Sequence, residues 1–208
     1  MKYLYILILF LITAFSAPAQ IIHNYGFKVG YVSSTYTYSG IDLENSTKRK
    51  SGYSFSAFVD IFNVNGFSIS PEIKYIQKGA GLEFVHTGPD SPEPIEIKTD
   101  FVYHNYLSIP ISLVYKFQLN AGIPFLKFAP RYDILLNSYD DSKLPASTYD
   151  NYKNVFGGTI SVGFIPNLQM VMNPFIEISY HMDFTSMFSS PLMKIKNNVV
   201  EINLGVQF

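Results

Sequence analysis

The chain has 208 residues, which is enough for one ordinary domain or one small barrel and too few for a multidomain enzyme with separate cofactor and substrate modules. Charged residues make up 15% and aromatic residues 16%, whereas a soluble domain usually has about a quarter charged residues. The formal net charge of -1 gives no electrostatic footprint for nucleic acid, and zero Cys excludes disulfide frameworks, cysteine zinc clusters and thiol nucleophiles.

The first residues have the pattern of a secretory signal peptide. Lys2 is followed by an apolar run from Tyr3 to Phe15, and Ala17-Pro18-Ala19 provides a small-x-small cleavage site. A helix that stays in the membrane needs about 20 apolar residues, and this run is shorter. We therefore predict a cleaved signal peptide at 1–19 and a mature domain at 20–208.

From Tyr25 onward, large apolar side chains alternate with small or charged ones in eight stretches, which is the period of a β-strand. The connections alternate between short and long. The short ones lie at 63–66, 119–122 and 166–169, and the long ones at about 39–50, 79–98, 137–153 and 185–196. Short turns at one end and long loops at the other are the plan of an outer-membrane barrel.

An alternative reading of the third stretch continues this strand past Gly79 through Leu82, Phe84 and His86, which carries the barrel beyond the membrane. Because strand limits read from sequence have errors of two to four residues, both readings stand at this point.

The size of the side chains indicates which face points outward. The polar parity is rich in Gly, Ser and Thr, and the interior of an eight-stranded barrel is just wide enough for side chains to fill it. That parity also has charges of both signs, which can pair inside a narrow lumen. The predicted lumen charge network consists of Lys28, Asp60, Glu72, Lys74, Lys116, Lys127, Arg131, Asp133, Glu177, His181, Asp183 and Glu201.

The predicted fold is therefore all-β: an eight-stranded antiparallel up-and-down transmembrane β-barrel. Its outer face is rich in Tyr and Phe, which bacterial barrels place in girdles at the two membrane interfaces. The alternative is a soluble periplasmic, lipocalin-like barrel, in which the apolar face would line a binding cavity and the polar face would meet water.

Several segments resemble the outer-membrane β-barrel domain of Bacteroidota, the PorT-like family. The most specific are Ser70-Pro71-Glu72, Lys78-Gly79, the run Tyr106 to Pro110 and the terminal Phe208. The resemblance covers nearly the whole mature chain. It implies an outer-membrane location, a terminal aromatic residue that the barrel-assembly machinery recognises, and, by analogy with PorT itself, a role in type IX secretion.

The search for chemistry gives no catalytic residue, cofactor or metal as a prediction. His181 shares the inward parity with Glu177 and Asp183, which suits a structural network better than a metal or proton site. His104 and Ser108 share a parity but lie about 13 Å apart on an extended strand, so they cannot form a dyad by themselves.

The leading functional prediction is a non-enzymatic outer-membrane barrel with a side-chain-filled lumen and four long external loops. The predicted partners are outer-membrane lipid and lipopolysaccharide, which the basic cluster Lys48-Arg49-Lys50 could contact, and the barrel-assembly machinery. The alternatives are an accessory component of a secretion or envelope complex and an outer-membrane lipid hydrolase or acyltransferase that depends on His104 or His181.

Overall fold

The alternating segments form strands that pair side by side and close on themselves. The computed structural model describes residues 22–39, 47–87, 94–140, 152–168, 171–189 and 193–208, and the predicted signal peptide lies outside them. The strands are β1 (Ile22–Ser39), β2 (Thr47–Val64), β3 (Phe67–Thr87), β4 (Pro94–Lys116), β5 (Gly122–Asp140), β6 (Val155–Pro166), β7 (Asn173–Asp183), β8 (Phe188–Ser189) and β9 (Lys194–Gln207).

All neighbouring strands pair antiparallel, and β1 pairs with both β2 and β9. Eight long strands therefore form a closed wall, and the two-residue β8 pairs with the beginning of β9 at the loop end. The predicted eight-stranded antiparallel barrel is confirmed. No helix in the described part of the chain is long and apolar enough to cross a membrane.

The turn between β2 and β3 shows how sequence sets the register. Asn65 and Gly66 both have positive φ, 53° and 86°, which is the requirement of a two-residue hairpin turn of type I′. Asn and Gly are the residues that tolerate this conformation. The connection between β6 and β7 is longer than the predicted 166–169, since β6 ends at Pro166 and β7 begins at Asn173.

The predicted long loop at 79–98 is wrong. β3 continues to Thr87 and β4 begins at Pro94, with an unbroken ladder from Gly79–Tyr103 to His86–Glu96. The alternative reading, in which the third strand continues past Gly79, is correct. Apolar and polar residues still alternate through this region, and a hairpin satisfies the backbone groups that an irregular loop would expose.

The inner and outer faces of the wall differ as a membrane-spanning barrel requires. Outward-facing apolar side chains are widely exposed; for example, Ile73 is 63% and Leu204 is 61% exposed. The inward positions are mostly buried polar and charged side chains. A soluble barrel would have the reverse arrangement, so the lipocalin-like alternative is wrong.

Candidate functional site

The lumen has three layers, which we call the turn-end plug, the charged layer and the loop-end plug. The charged layer lies between two buried apolar clusters. The turn-end plug consists of Phe58, Val114, Ile123, Phe125, Ile165 and Phe175. The loop-end plug includes Val32, Tyr36, Ile76, Val102, Tyr106, Val155, Met187, Phe188, Ile195 and Val199.

The part of the charged layer nearer the turns is a chain of ion pairs. Lys28 Nζ lies 2.6 Å from Glu177 Oε1 and 3.0 Å from Glu72 Oε2. Lys74 Nζ lies 2.8 Å from Glu201 Oε2 and 3.4 Å from Glu72 Oε1. Since these side chains are at most 5% exposed, each charge depends on its partners for the interactions that water would otherwise provide.

The part nearer the loops is a second group of ion pairs. Arg131 contacts both Asp133 and Asp183, and Lys78 Nζ lies near the same two carboxylates. Asp183 also accepts a hydrogen bond from the backbone N–H of Asn197, at 3.0 Å. Together the two groups connect β1, β3, β5, β7 and β9 across the lumen.

Two lysines connect the charged layer to the plugs. Lys127 Nζ is 2.8 Å from Glu177 Oε2, and it also lies 5.0–5.9 Å from the ring centroids of Phe58, Phe125 and Phe175. Lys78 Nζ lies 5.2 Å from the ring centroid of Tyr106. These distances are those of cation–π contacts, which stabilise the charged form of each lysine beside an apolar cluster.

The turn-end plug depends on glycine in neighbouring strands. Phe58 pairs with Gly26, Phe125 with Gly163 and Phe175 with Gly205. A Cβ at any of these three glycines would collide with the ring of its partner. The rings therefore fold over their glycine neighbours and fill the centre of the barrel.

The loop-end plug includes part of the connection between β7 and β9. Met187 and Phe188 are 0% and 7% exposed, and Met187 N–H donates to the carbonyl of Ile195 at 2.9 Å. Met187 and Phe188 therefore fold back into the mouth of the barrel.

His104 belongs to this same end of the lumen and is fully buried. Its Nε2 is 2.8 Å from Tyr36 Oη, and its Nδ1 is 2.8 Å from Ser138 Oγ. The serine that contacts His104 is thus Ser138 on β5. Ser108 lies on the same face of β4 as His104. His181 contacts Thr159 Oγ1 at 2.8 Å and Glu201 Oε2 at 2.7 Å.

The described residues of the turn-end plug and the charged layer leave little free volume between them. One cavity at the turn-end plug and one within the charged layer each have a volume of about 10 Å³. A cavity of that size holds at most one water molecule.

The structure places the predicted network residues in the lumen. Lys116 and Asp60 form a separate pair at 2.7 Å near the turns, and the other ten contribute to the charged layer. The predicted network omits Lys78, although it has the same parity as Lys74. With Lys78, the described lumen residues include six Lys or Arg side chains and six carboxylates, so their formal charges balance.

Sequence analysis also missed the two plugs. Phe58, Phe125 and Phe175 lie at inward positions, and the signal that could have identified them is a glycine at the paired position of the next strand. Among the described residues, no group of three His, Cys, Asp or Glu side chains is arranged to hold a metal ion.

Comparison with known proteins identifies the architecture. A family model described as "Outer membrane protein beta-barrel domain" matches residues 19–189. No curated protein has significant sequence similarity to this chain.

This chain is similar to several solved structures at low sequence identity. The outer membrane protein OprG from Pseudomonas aeruginosa has a TM-score of 0.54 and 10% identity, with 91% of this chain and 97% of that chain covered. Neisserial surface protein A has a TM-score of 0.47 and 12% identity, with coverage of 89% and 97%. Ail of Yersinia pestis, in complex with the heparin analogue sucrose octasulfate, has a TM-score of 0.44 and 14% identity, with coverage of 89% and 98%.

Proposed function

The chain belongs to the outer membrane protein β-barrel domain family, and from this membership we propose that it is a sealed, non-enzymatic scaffold of the outer membrane. In this proposal the turns face the periplasm and the long connections face the cell exterior, as in other outer-membrane barrels. Residues 1–19 serve as the export signal, and Phe208 is the mark that the barrel-assembly machinery reads. Binding resides in the external connections, which the rigid wall positions.

The observation that supports a sealed scaffold is the packing of the lumen. The charged layer ties several strands together, and an apolar plug covers it at each end. An ion passing through would have to displace buried ion pairs and two clusters of apolar side chains. Breaking a buried pair costs about 3–5 kcal/mol, so the arrangement favours a closed barrel.

Recording from the purified full chain in a planar bilayer tests this proposal. We expect no stable single-channel currents under conditions in which a porin, reconstituted in parallel, conducts. Insertion of the barrel is verified separately by heat-modifiable gel migration of the protein recovered from the membrane. Reproducible porin-like conductance from the folded barrel would overturn the proposal.

The geometry around His104 supports a structural role over catalysis. The ring is fully buried. Its Nε2 contacts the hydroxyl of Tyr36, and its Nδ1 contacts the hydroxyl of Ser138. A general base has to reach the proton that it removes from a substrate. We therefore expect lipid A from cells with the His104→Ala or Ser138→Ala variant to have the wild-type mass spectrum, whereas a changed acyl pattern would favour an enzyme.

A second candidate function is an accessory component of an envelope complex, such as the type IX secretion role that the PorT-like resemblance suggests. The observation that favours it is the distal part of the β3–β4 hairpin. In the described residues, β2 pairs with β3 only as far as Leu82, and β5 pairs with β4 only from Val102 onward. The hairpin continues past these levels, from the Glu83–Thr99 pair to the Thr87–Pro94 pair, and its outer part is the surface that this candidate function offers to another protein.

Affinity purification from native membranes tests this candidate. The matched control is a variant in which residues 84–98 are replaced by an Asn-Gly turn, since Glu83 and Thr99 are already paired across the hairpin. A protein recovered in stoichiometric amount with the wild-type chain and lost with the shortened variant would support it. Repeated recovery of the barrel alone from both preparations would contradict it.

A further inference from the structure

The outer face of the wall changes its chemistry abruptly on three adjacent strands, β9, β1 and β2. On β1 the outward positions Phe27, Val29 and Tyr31 are 58%, 52% and 55% exposed. The outward positions that follow toward the loop end all have hydroxyl side chains: Ser33, Thr35, Thr37 and Ser39. The hydroxyl stripe extends for about 20 Å along the strand.

Cations flank this stripe on both sides. On β9, Lys196 pairs with Thr37 and Lys194 with Ser39. On β2, Arg49 Nε donates to Ser33 Oγ at 3.1 Å. Asn198 Nδ2 donates to Thr37 Oγ1 at 2.6 Å, which orders the stripe from the β9 side. We call this surface the cationic face and define it by Arg49, Lys194, Lys196 and the four hydroxyl residues.

The distribution of positive charge in the molecule singles out this surface. Apart from the lumen residues, the described side chains include six from Lys and Arg: Lys48, Arg49, Lys50, Lys153, Lys194 and Lys196. Five of these six lie on β2 or β9 at the loop end, although the whole chain has a formal net charge of -1. Among the described side chains outside the lumen, Arg49, Lys194 and Lys196 therefore lie beside the stripe.

The outward side chains that lie next to the cationic face, toward the turn end, are those expected where a barrel enters the membrane. Tyr31 Oη hydrogen-bonds to Ser51 Oγ at 2.6 Å, and tyrosine with its hydroxyl at the polar side is typical of the interface. Below it, the exposed side chains of Val29, Ile202 and Leu204 continue the same face. Apolar rows suited to acyl chains are thus continuous with cationic rows at the level of the head groups.

We propose that the cationic face binds the phosphate groups of a phosphorylated glycolipid of the outer leaflet. This inference rests on the proposed orientation, in which the long connections lie outside the cell. One amphiphile accounts for both halves of the surface, because its acyl chains cover the apolar rows while its phosphates meet Arg49, Lys194 and Lys196. A soluble polyanion would contact only the charged side chains. It would not explain why the apolar rows are continuous with them.

Native mass spectrometry of the folded full chain in detergent tests this inference. The probes are bis-phosphorylated lipid A and the same lipid after removal of both phosphates. The test variant is Arg49→Gln/Lys194→Gln/Lys196→Gln, and the matched control is Lys153→Gln, which removes an exposed charge of the same sign at the same end of the barrel. Heat-modifiable migration verifies that each variant is folded, and the single variants replace the triple variant if it does not fold.

We expect the wild-type chain and Lys153→Gln to bind phosphorylated lipid A equally, and more tightly than the dephosphorylated lipid. Each cation removed from the cationic face should weaken binding about fivefold, because a basic residue beside an anionic membrane surface contributes about that factor. Equal affinity of the triple variant and the wild type, or of the two lipids, would overturn the inference. Displacement of the lipid by millimolar inorganic phosphate would assign the face to small anions and would overturn it as well.

This experiment does not measure conductance or orientation. Porin-like currents would therefore refute the sealed scaffold while leaving lipid binding to be judged on its own result. Conversely, a chain that binds neither lipid can still be a sealed barrel.

Discussion

Gly163 illustrates how a single inward position controls the packing of the lumen. A Cβ at this position would overlap the ring of Phe125, which pairs with it across β5 and β6. The same relation holds at Gly26 with Phe58 and at Gly205 with Phe175, so three glycines make room for the three rings of the turn-end plug.

Replacement of Gly163 by Ala should therefore destabilise the barrel through overpacking, by about 1–3 kcal/mol. In a Phe125→Ala background the same replacement should cost less, because the ring is absent and only the backbone oxygen of Ile176, 2.7 Å from the added Cβ, still opposes it. Urea unfolding of the barrel in lipid vesicles measures the four free energies. Ser56→Ala is the control, since it adds no volume at an inward position and Ser56 Oγ has no hydrogen-bond partner among the described residues. Equal effects of Gly163→Ala in both backgrounds would refute this account.

Glu201 is an acid of the charged layer with three polar partners. It is fully buried and contacts Ser54, Lys74 and His181. Glu201→Ala should destabilise the barrel by about 3–5 kcal/mol, because it leaves Lys74 with one fewer carboxylate in a site without bulk water. The double variant Lys74→Ala/Glu201→Ala should lose less than the sum of the two single variants in the same unfolding assay. Strict additivity would show that the two charges do not depend on each other.

At the scale of elements, the β3–β4 hairpin separates naturally into two parts. In the described part of the chain, the region near the barrel pairs with β2 and β5, whereas the region from Glu83 to Thr99 pairs within itself. The stability of the wall should therefore be independent of the distal part.

The variant in which an Asn-Gly turn replaces residues 84–98 tests this separation. We expect it to fold into vesicles with the heat-modifiable migration of a barrel and an unfolding free energy within about 1 kcal/mol of the wild type. The new turn joins Glu83 to Thr99, which already face each other, and Asn-Gly suits a two-residue hairpin. Loss of the folded band would mean that the distal hairpin contributes to the wall.

The elements also show what the sequence could and could not predict. Alternation in single strands predicts the strand count, the lipid-facing parity and the inward charges, because a two-residue period is visible within one segment. It does not predict which residues meet across strands. The Ser138 neighbour of His104 and the glycine partners of the plug depend on register, and the inward fold of Met187 depends on a long connection that alternation does not describe.

At the scale of the whole molecule, the barrel combines an apolar exterior with a lumen of balanced charge. The loop end has the cationic face on its outer surface. At the turn end, Lys116 lies in the lumen, where Asp60 neutralises its charge. This asymmetry along the barrel axis suits a membrane whose two leaflets differ in charge. The orientation in the cell is therefore the property on which the proposed roles depend.

Single-cysteine labelling of intact cells determines that orientation, since the chain has no native Cys to interfere. Ser189→Cys introduces a thiol at an exposed position of the loop end, and Gln118→Cys does so in the connection between β4 and β5 at the turn end. A membrane-impermeant maleimide should label Ser189→Cys on intact cells and Gln118→Cys only after the outer membrane is permeabilised. Labelling of both after permeabilisation shows that each thiol is reactive. The reverse pattern on intact cells would place the cationic face at the periplasmic leaflet, where it could not meet a glycolipid of the outer leaflet.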